Sequence, residues 1–119
     1  MWSVEYTNEF EVWFDALSEE QQEAVALRVR QLEQSGPTLR RPTVGEIKNS
    51  AFAPRMKELR CNSDGSLRVL FIFDPRRTAI LLLGGDKTGQ WNEWYRTAIP
   101  AADALYQMYL NEMEAGGSL

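Results

Sequence analysis

The stretch from residue 56 to residue 84 constrains the fold most, because it holds three strand-like runs separated only by short turns. The runs cover residues 56–61, 67–74 and 78–84. Their connections read Asn-Ser-Asp-Gly-Ser and Asp-Pro-Arg-Arg, and both are typical of tight turns. Since tight turns join antiparallel neighbours, the sequence predicts a three-stranded meander. The last run contains AILLLG, so we expect this apolar strand to be covered on both faces.

The elements before the meander are predicted from residue spacing. Residues 2–6 alternate between larger side chains and polar ones, which predicts a short strand that returns to the sheet. A helix follows, because apolar side chains recur at i, i+3, i+4 and i+7, and Thr7 or Asn8 is its expected cap. These side chains are Phe10, Trp13, Phe14 and Leu17.

A second helix is predicted to pack antiparallel to the first. Ser18 and Gln21 have the spacing of a capping box, and the helix runs from there to about Gln34 before Gly36-Pro37 ends it. Residues 37–55 contain three prolines, and we expect an ordered loop there.

The C-terminal part is predicted to be helical. One helix covers about residues 91–97, Pro100 interrupts it, a last helix covers residues 101–114, and the tail from about residue 115 is frayed. Strands and helices are therefore grouped rather than alternating. The prediction is one α+β domain over residues 1–119, with a mostly antiparallel sheet of about four strands, an N-terminal helical hairpin and a C-terminal helix.

Composition excludes several kinds of site. The chain has no histidine, so the commonest general base and zinc ligand are absent and a Ser-His-Asp triad is impossible. Cys61 is the only cysteine, which rules out an internal disulfide and suits a cytoplasmic location. No apolar run is long enough for a membrane span, and the N-terminus does not resemble a signal peptide. We predict no metal and no cofactor.

Charge is unevenly distributed along the chain. The total is −4, but residues 40–87 carry 10 cations and 5 anions, whereas residues 1–39 carry 2 cations and 8 anions. A net negative charge argues against non-specific nucleic-acid binding, yet the basic middle segment leaves room for a local anion site. The alternative is that acidic helices merely flank a more basic sheet.

Arg60 and Arg68 are the central candidates for such a site. They lie on strands predicted to be antiparallel neighbours, and we expect them to share a face with Glu58. Two adjacent guanidinium groups repel unless an anion lies between them, and a phosphate is a suitable anion. An ordinary Glu–Arg pair facing water is the alternative. GGDKTG, residues 84–89, lacks the P-loop spacing and is predicted instead as a tight turn presenting Lys87.

Several segments together resemble a known family. They are KELR at 57–60, LRVLFIFDPRRTAILLLGGDKTG at 67–89, WY at 94–95 and IPAAD at 99–103. They are similar to the phage-derived, HigB-like branch of the RelE/ParE toxin superfamily, and the resemblance covers almost the whole chain. The order of predicted elements also agrees with that superfamily.

The resemblance implies a toxin of a type II toxin–antitoxin module. RelE and HigB members cleave mRNA, usually on the translating ribosome and without a metal, so a similar endoribonuclease activity is expected here. The implied partner is an antitoxin with a helix-turn-helix domain, and oligomers are expected only through that complex. Other superfamily members poison DNA gyrase, so a non-nuclease toxin and an inactive antitoxin-binding protein are the alternatives.

The resemblance also implies roles for single residues. By position, Arg60 and Arg68 match two arginine sites around the scissile phosphate, and Lys87 matches a late basic site. Tyr95 is similar to a C-terminal tyrosine, and Glu58 stands where one relative has a lysine. We therefore predict catalytic roles for these five residues. RNA binding is predicted for three neighbouring cations, Lys57, Arg76 and Arg77.

Overall fold

A computed structural model describes residues 1–61 and 66–117 of the chain. Within these residues the strands are β1 (Ser3–Tyr6), β2 (Val44–Glu46), β3 (Met56–Cys61), β4 (Leu67–Asp74) and β5 (Thr78–Asp86). The α-helices are α1 (Asn8–Asp15), α2 (Glu19–Ser35) and α3 (Trp91–Gly117). The predicted turn at residues 62–65 lies outside the described residues. The α+β class and the predicted meander are confirmed.

The described strands form one sheet in the order β1-β5-β4-β3-β2. β1 pairs parallel with β5, as expected for a first strand that returns to the sheet, and the other pairs are antiparallel. The prediction of about four strands is therefore corrected to five among the described residues. The additional strand is β2, in a segment predicted as a loop. It pairs with β3 over three residues, which is too short for an alternation pattern to be recognised.

A helical layer covers each face of the sheet. Helices α1 and α2 cover one face with a cluster that includes Phe10, Val25 and Leu32, and α3 covers the other with a cluster that includes Ala102 and Tyr106. Strand β5 contributes to both clusters, which confirms that it is covered on both faces. The sheet is therefore the shared middle layer of the fold.

The N-terminal helices begin as their sequences predict. The Thr7 hydroxyl accepts a hydrogen bond from the Phe10 amide at 3.0 Å, so Thr7, rather than Asn8, caps α1. Ser18 and Gln21 form the predicted capping box before α2, with bonds of 3.2 and 3.0 Å. Side-chain hydrogen bonds thus satisfy backbone amides at the start of both helices.

Helix α3 differs from its prediction, because it runs without interruption through Pro100 and continues to Gly117. Proline removes one backbone hydrogen bond, but Ala98, Ile99 and Ala102 are buried against the sheet on both sides of it. This packing outweighs the local cost and keeps the helix continuous. Residues 115–117, where the frayed tail was predicted to begin, belong to α3, and the last two residues of the tail lie outside the described residues.

Candidate functional site

The face of the sheet under α3 brings the predicted catalytic residues together. Arg60 and Arg68 are direct cross-strand partners in the β3–β4 pairing, and Glu58 precedes Arg60 by two residues on the same strand. All three side chains therefore lie on one face, as the sequence predicts. They lie at the end of the sheet where β3 finishes and β4 begins.

Glu58 occupies the centre of this group. Its Oε2 atom lies 3.0 Å from Arg60 Nη2, and its Oε1 atom lies 3.8 Å from Arg68 Nε. The side chains of Glu58 and Arg68 are 5% and 8% exposed. Charged groups this deeply buried need oppositely charged partners, and the carboxylate supplies one to the two guanidinium groups.

Tyr95 reaches the same carboxylate from α3. Its hydroxyl donates a hydrogen bond of 2.5 Å to Glu58 Oε1 and accepts one of 3.1 Å from Lys87 Nζ. Burial raises the pKa of Tyr95 to about 12, and the hydrogen bond to Glu58 contributes to the increase. The phenol is therefore protonated at neutral pH and is a proton donor within a Lys87–Tyr95–Glu58 chain.

Lys87 is poised to lose its proton more readily than a lysine in water. Burial lowers its pKa, and the positive charge of Arg68 lowers it further, while Glu58 partly opposes both effects. The side chain also lies 5.1 Å from the centre of the Tyr95 ring. We refer below to Glu58, Arg60, Arg68, Lys87 and Tyr95 as the Glu58 cluster.

A bulge in β5 places Lys87 on the cluster side of the sheet. Leu70 pairs with Leu83 and Phe71 pairs with Leu81, so Leu82 is an extra residue in β5. Before the bulge, even-numbered residues face α3, and after it odd-numbered residues do. The change is visible at the glycines, where Trp13 of α1 lies against Gly84 and Trp94 of α3 lies against Gly85.

Gly45 of β2 provides the space for the Arg60 side chain. A Cβ atom at Gly45 would lie 2.4 Å from Arg60 Nη2 and 2.9 Å from Glu58 Oε2. The Arg60 guanidinium therefore extends across the edge strand, where Nη1 also donates a 3.4 Å bond to the Pro42 carbonyl. The glycine is part of the site because no larger residue leaves this space open.

Comparison with known proteins identifies the family. The model of the phage-derived Gp49-like protein family matches residues 12–107. The chain belongs to this Gp49-like family.

Two curated relatives from Mycobacterium tuberculosis carry toxin names. A protein assigned as toxin HigB3 is 47% identical over 107 residues, covering 90% of this chain and 92% of the relative. A protein assigned as toxin HigB2 is 39% identical over 117 residues and covers 94% of this chain, which spans only 58% of that relative.

Solved structures with the same fold include Escherichia coli RelE. An arginine double mutant of RelE in the free state gives a TM-score of 0.62 at 10% identity, covering 83% of this chain and 95% of RelE. The intact Escherichia coli RelBE toxin–antitoxin complex gives 0.59 at 9% identity, covering 72% of this chain and 96% of the matched chain. The Gp49-like chain is thus a HigB-like toxin with the RelE fold, and the predicted resemblance to the HigB-like branch is confirmed.

A groove of about 440 Å³ opens beside the Glu58 cluster of this HigB-like toxin. Glu58 and Tyr95 line it, together with Asn92 and Arg96 of α3 and Lys48 beyond β2. The carboxylate and phenol of the cluster are therefore reachable from one side of the sheet.

The three other predicted cations lie away from the cluster. Lys57 faces the opposite side of the sheet, and its Nζ atom lies 3.9 Å from Glu46 Oε1. Arg76 and Arg77 follow the far end of β4, where Arg76 Nε bonds Asp74 at 2.8 Å and Arg77 lies 5.1 Å from the Trp2 ring. Burial raises the pKa of Asp74, but hydrogen bonds from Arg76 outweigh this effect and the pKa is lowered.

The sequence reasoning did not single out Arg40, Arg41 and Lys48, which line a second groove in the HigB-like toxin. They lie in the proline-containing segment, where no periodic pattern indicated a surface. The adjacent Arg-Arg-Pro stretch at residues 40–42, in an acidic chain, was the available signal.

The described residues contain neither a candidate metal-binding group nor a candidate membrane-spanning helix. No group of three or more cysteine, aspartate or glutamate side chains is placed to hold a metal ion within residues 1–61 and 66–117. No helix in that part of the chain is long and apolar enough to cross a membrane.

Proposed function

We propose that this protein is a metal-independent endoribonuclease toxin that cleaves mRNA on the translating ribosome. The observation that carries the proposal is the convergence of Arg60, Arg68, Lys87 and Tyr95 around the buried Glu58 carboxylate. Guanidinium and ammonium groups that share one polar site match the charge of a phosphodiester. A phenol and a carboxylate beside them supply groups that can move protons.

Substrate binding replaces Glu58 as the anion between the two arginines. The scissile phosphate enters from the groove beside Tyr95, and its non-bridging oxygens accept hydrogen bonds from Arg60 and Arg68. Both guanidinium groups are held by the sheet before substrate arrives, so little reorganisation is needed. They stabilise the additional negative charge on the phosphorus oxygens in the transition state.

The cleavage step is an attack of the ribose 2′-oxygen on the adjacent phosphorus. Glu58 accepts the 2′-hydroxyl proton as the O2′–P bond forms. The P–O5′ bond breaks, Tyr95 donates its proton to the leaving 5′-oxygen, and Lys87 returns a proton to Tyr95. The products are a 2′,3′-cyclic phosphate and a 5′-hydroxyl end. The lowered pKa of Lys87 favours this transfer.

The proposed setting is a cytoplasmic type II toxin–antitoxin module. The fold matches the toxin in the Escherichia coli RelBE complex, which supports an antitoxin partner for this chain. We propose that the partner carries a helix-turn-helix domain, covers the basic face around Arg60, and provides the only oligomeric form of the toxin.

One observation favours a second candidate function. Arg60 is already bound to Glu58 at 3.0 Å, so an internal carboxylate occupies the position proposed for the phosphate. If the phosphate does not displace this carboxylate, the protein is a non-nuclease toxin that inhibits gyrase or another target, or an inactive antitoxin-binding protein. An assay of mRNA cleavage on translating ribosomes separates the nuclease from these alternatives.

The test compares the Arg68→Ala and Arg28→Ala variants with the wild-type toxin on purified ribosomes that translate a defined mRNA. Primer extension should detect cuts within the reading frame for wild type and for Arg28→Ala, whose guanidinium bonds Gln31 on α2. We expect Arg68→Ala to reduce the cleavage rate by about 100-fold or more. Intact mRNA after the wild-type toxin acts on translating ribosomes would contradict the nuclease proposal, and growth arrest of expressing cells whose transcripts stay intact would support inhibition of another target.

A further inference from the structure

A second groove, of about 870 Å³, lies on the other side of the edge strand β2. Among the described residues that line it, five are cationic and one is a carboxylate, Glu46. The cations are Arg40, Arg41, Lys48, Lys57 and Arg60. In a chain with a net charge of −4, this groove is a local concentration of positive charge, and we call it the basic groove.

Backbone hydrogen bonds hold the wall of the basic groove in place. The amides of Thr43 and Val44 both donate to the Arg40 carbonyl at 3.1 Å, which closes a turn over residues 40–43. The Arg60 amide then donates to the Thr43 carbonyl at 2.8 Å and connects this turn to β3. Arg40 and Arg41 are exposed side chains on a turn that the sheet fixes.

The basic groove is continuous with the groove beside Tyr95. Glu46 and Lys48 line both of them. Arg60 lines the basic groove and at the same time bonds Glu58, which lines the other groove. The barrier between them is β2, a strand of three residues at the edge of the sheet. A flexible polymer can therefore contact both grooves by crossing this short strand.

We propose that the basic groove binds the single-stranded RNA that flanks the scissile phosphate and leads it across β2 to the Glu58 cluster. This inference rests on the proposed function. A row of cations fits a phosphate backbone, and Phe73 lines the same groove and offers a ring surface for a base. Because the basic groove is continuous with the proposed phosphodiester site, RNA is favoured over an acidic segment of a protein partner.

The test measures binding of a fluorescein-labelled single-stranded RNA of about 16 nucleotides, the upper end of the site size of one OB fold. Fluorescence anisotropy is recorded at several salt concentrations for the full chain. The Arg40→Ala/Arg41→Ala double variant is compared with Arg28→Ala/Arg30→Ala, which removes the same charge from α2. The Arg40→Lys/Arg41→Lys variant keeps the charge of the groove.

We expect Arg40→Ala/Arg41→Ala to weaken binding at least about 10-fold and to reduce the slope of log K against log salt by about 1.4, or 0.7 for each lost phosphate contact. The lysine variant should retain most of the affinity, and the α2 control should bind like wild type. Equal losses in both alanine double variants would overturn the proposal, because they would reflect net charge alone.

Ribosomal cleavage separates this inference from the proposed function. If Arg68→Ala stops cleavage while Arg40→Ala/Arg41→Ala cleaves and binds RNA normally, the basic groove is not an RNA path and the nuclease assignment stands. If the wild-type toxin binds RNA through the groove but never cuts mRNA, the nuclease assignment fails and the groove assignment stands. Loss of antitoxin binding with unchanged RNA affinity would assign the groove to a protein partner and overturn the inference.

Discussion

Tyr95 shows at the scale of a single residue how the fold sets its chemistry. Its hydroxyl lies between Lys87, whose pKa is lowered by burial, and the Glu58 carboxylate, which accepts a short hydrogen bond from it. Burial raises the pKa of the phenol to about 12 from 10.0, so the folded state favours the protonated form. Linkage turns that preference into a pH-dependent contribution to stability.

The Tyr95→Phe variant tests this contribution. The contribution of Tyr95 is complete below pH 10 and is lost as pH rises from about 10 to about 12, because the unfolded chain releases the phenolic proton first. We expect wild type to exceed the variant by about 1–2 kcal/mol at neutral pH, with the difference shrinking across that interval. Urea denaturation at a series of pH values measures the two free energies of unfolding.

Tyr6→Phe is the matched control for this measurement. Tyr6 is 56% exposed, so removing its hydroxyl should leave the free energy of unfolding within about 0.5 kcal/mol of wild type. A wild-type to Tyr95→Phe difference that stays constant from neutral pH to pH 12 would show that burial and Glu58 do not raise the pKa of the phenol in the folded state.

At the scale of the element, α3 keeps its helical path through a residue that opposes it. Pro100 has no amide hydrogen to bond the Arg96 carbonyl, yet it lies inside a continuous helix of 27 residues. The buried face on either side of the proline supplies the compensation, with Ile99 7% and Ala102 0% exposed. Helix α3 positions Tyr95, so the cluster depends on this continuity.

Replacing Pro100 with alanine should stabilise the protein. The change restores an intrahelical hydrogen bond and removes the cost of proline in a helix interior, about 3 kcal/mol. The greater conformational entropy of the unfolded chain offsets about 1 kcal/mol of this gain. We expect a net gain of about 2 kcal/mol in the free energy of unfolding, measured by urea denaturation.

Pro75→Ala provides a control with the opposite sign. Pro75 lies in the β4–β5 turn, where a fixed φ suits the second position, so its replacement should cost about 0.5 kcal/mol. An equal change in the free energy of unfolding of both variants would indicate that only the entropy of the unfolded chain is involved. Pro100 would then not destabilise α3.

At the scale of the whole molecule, one sheet serves two hydrophobic clusters. Strands β4 and β5 contribute side chains to the cluster under α1 and α2 and to the cluster under α3. A break in either layer exposes the same strands, so the layers should unfold together.

Two core truncations test this coupling. Leu32→Ala lies in the α2 layer and Ile72→Ala faces α3, and both side chains are 0% exposed. Each should lower the free energy of unfolding by about 2–5 kcal/mol and leave one cooperative transition. Circular dichroism and tryptophan fluorescence should give the same midpoint for each variant. Separate midpoints would show that the layers are independent.

The sequence predicted most of the fold because its long elements carry clear periodicity. The capping box at Ser18, the meander and the doubly covered β5 follow from local patterns. Strand β2 was missed because three residues are too few to show alternation, and the continuity of α3 was missed because a proline normally interrupts a helix. Tertiary packing, which no local pattern records, decides both cases.

The composition of the candidate site was predictable only in part. Alternation indicated Glu58 and Arg60 on one face, but the sequence does not fix the turn register that decides whether Arg68 shares it; the observed register places Arg68 opposite Arg60, as we expected. Arg76 and Arg77 follow the end of β4 opposite to Arg68, so no register brings them to the cluster. The basic groove was missed because it is assembled from a turn and an edge strand.

The side of the sheet on which Lys87 lies is set by how β5 pairs with β4 after the extra residue. Because Leu82 has no partner on β4, every side chain after it points to the face opposite the one that simple counting gives. Deleting that one leucine would close the bulge and keep Lys87 on the α3 side, because Leu83 and Gly85 would still pair with Leu70 and Arg68. Inserting one residue between Leu83 and Lys87 without a second bulge would instead turn the ammonium group towards α1 and away from Tyr95, with no change in charge.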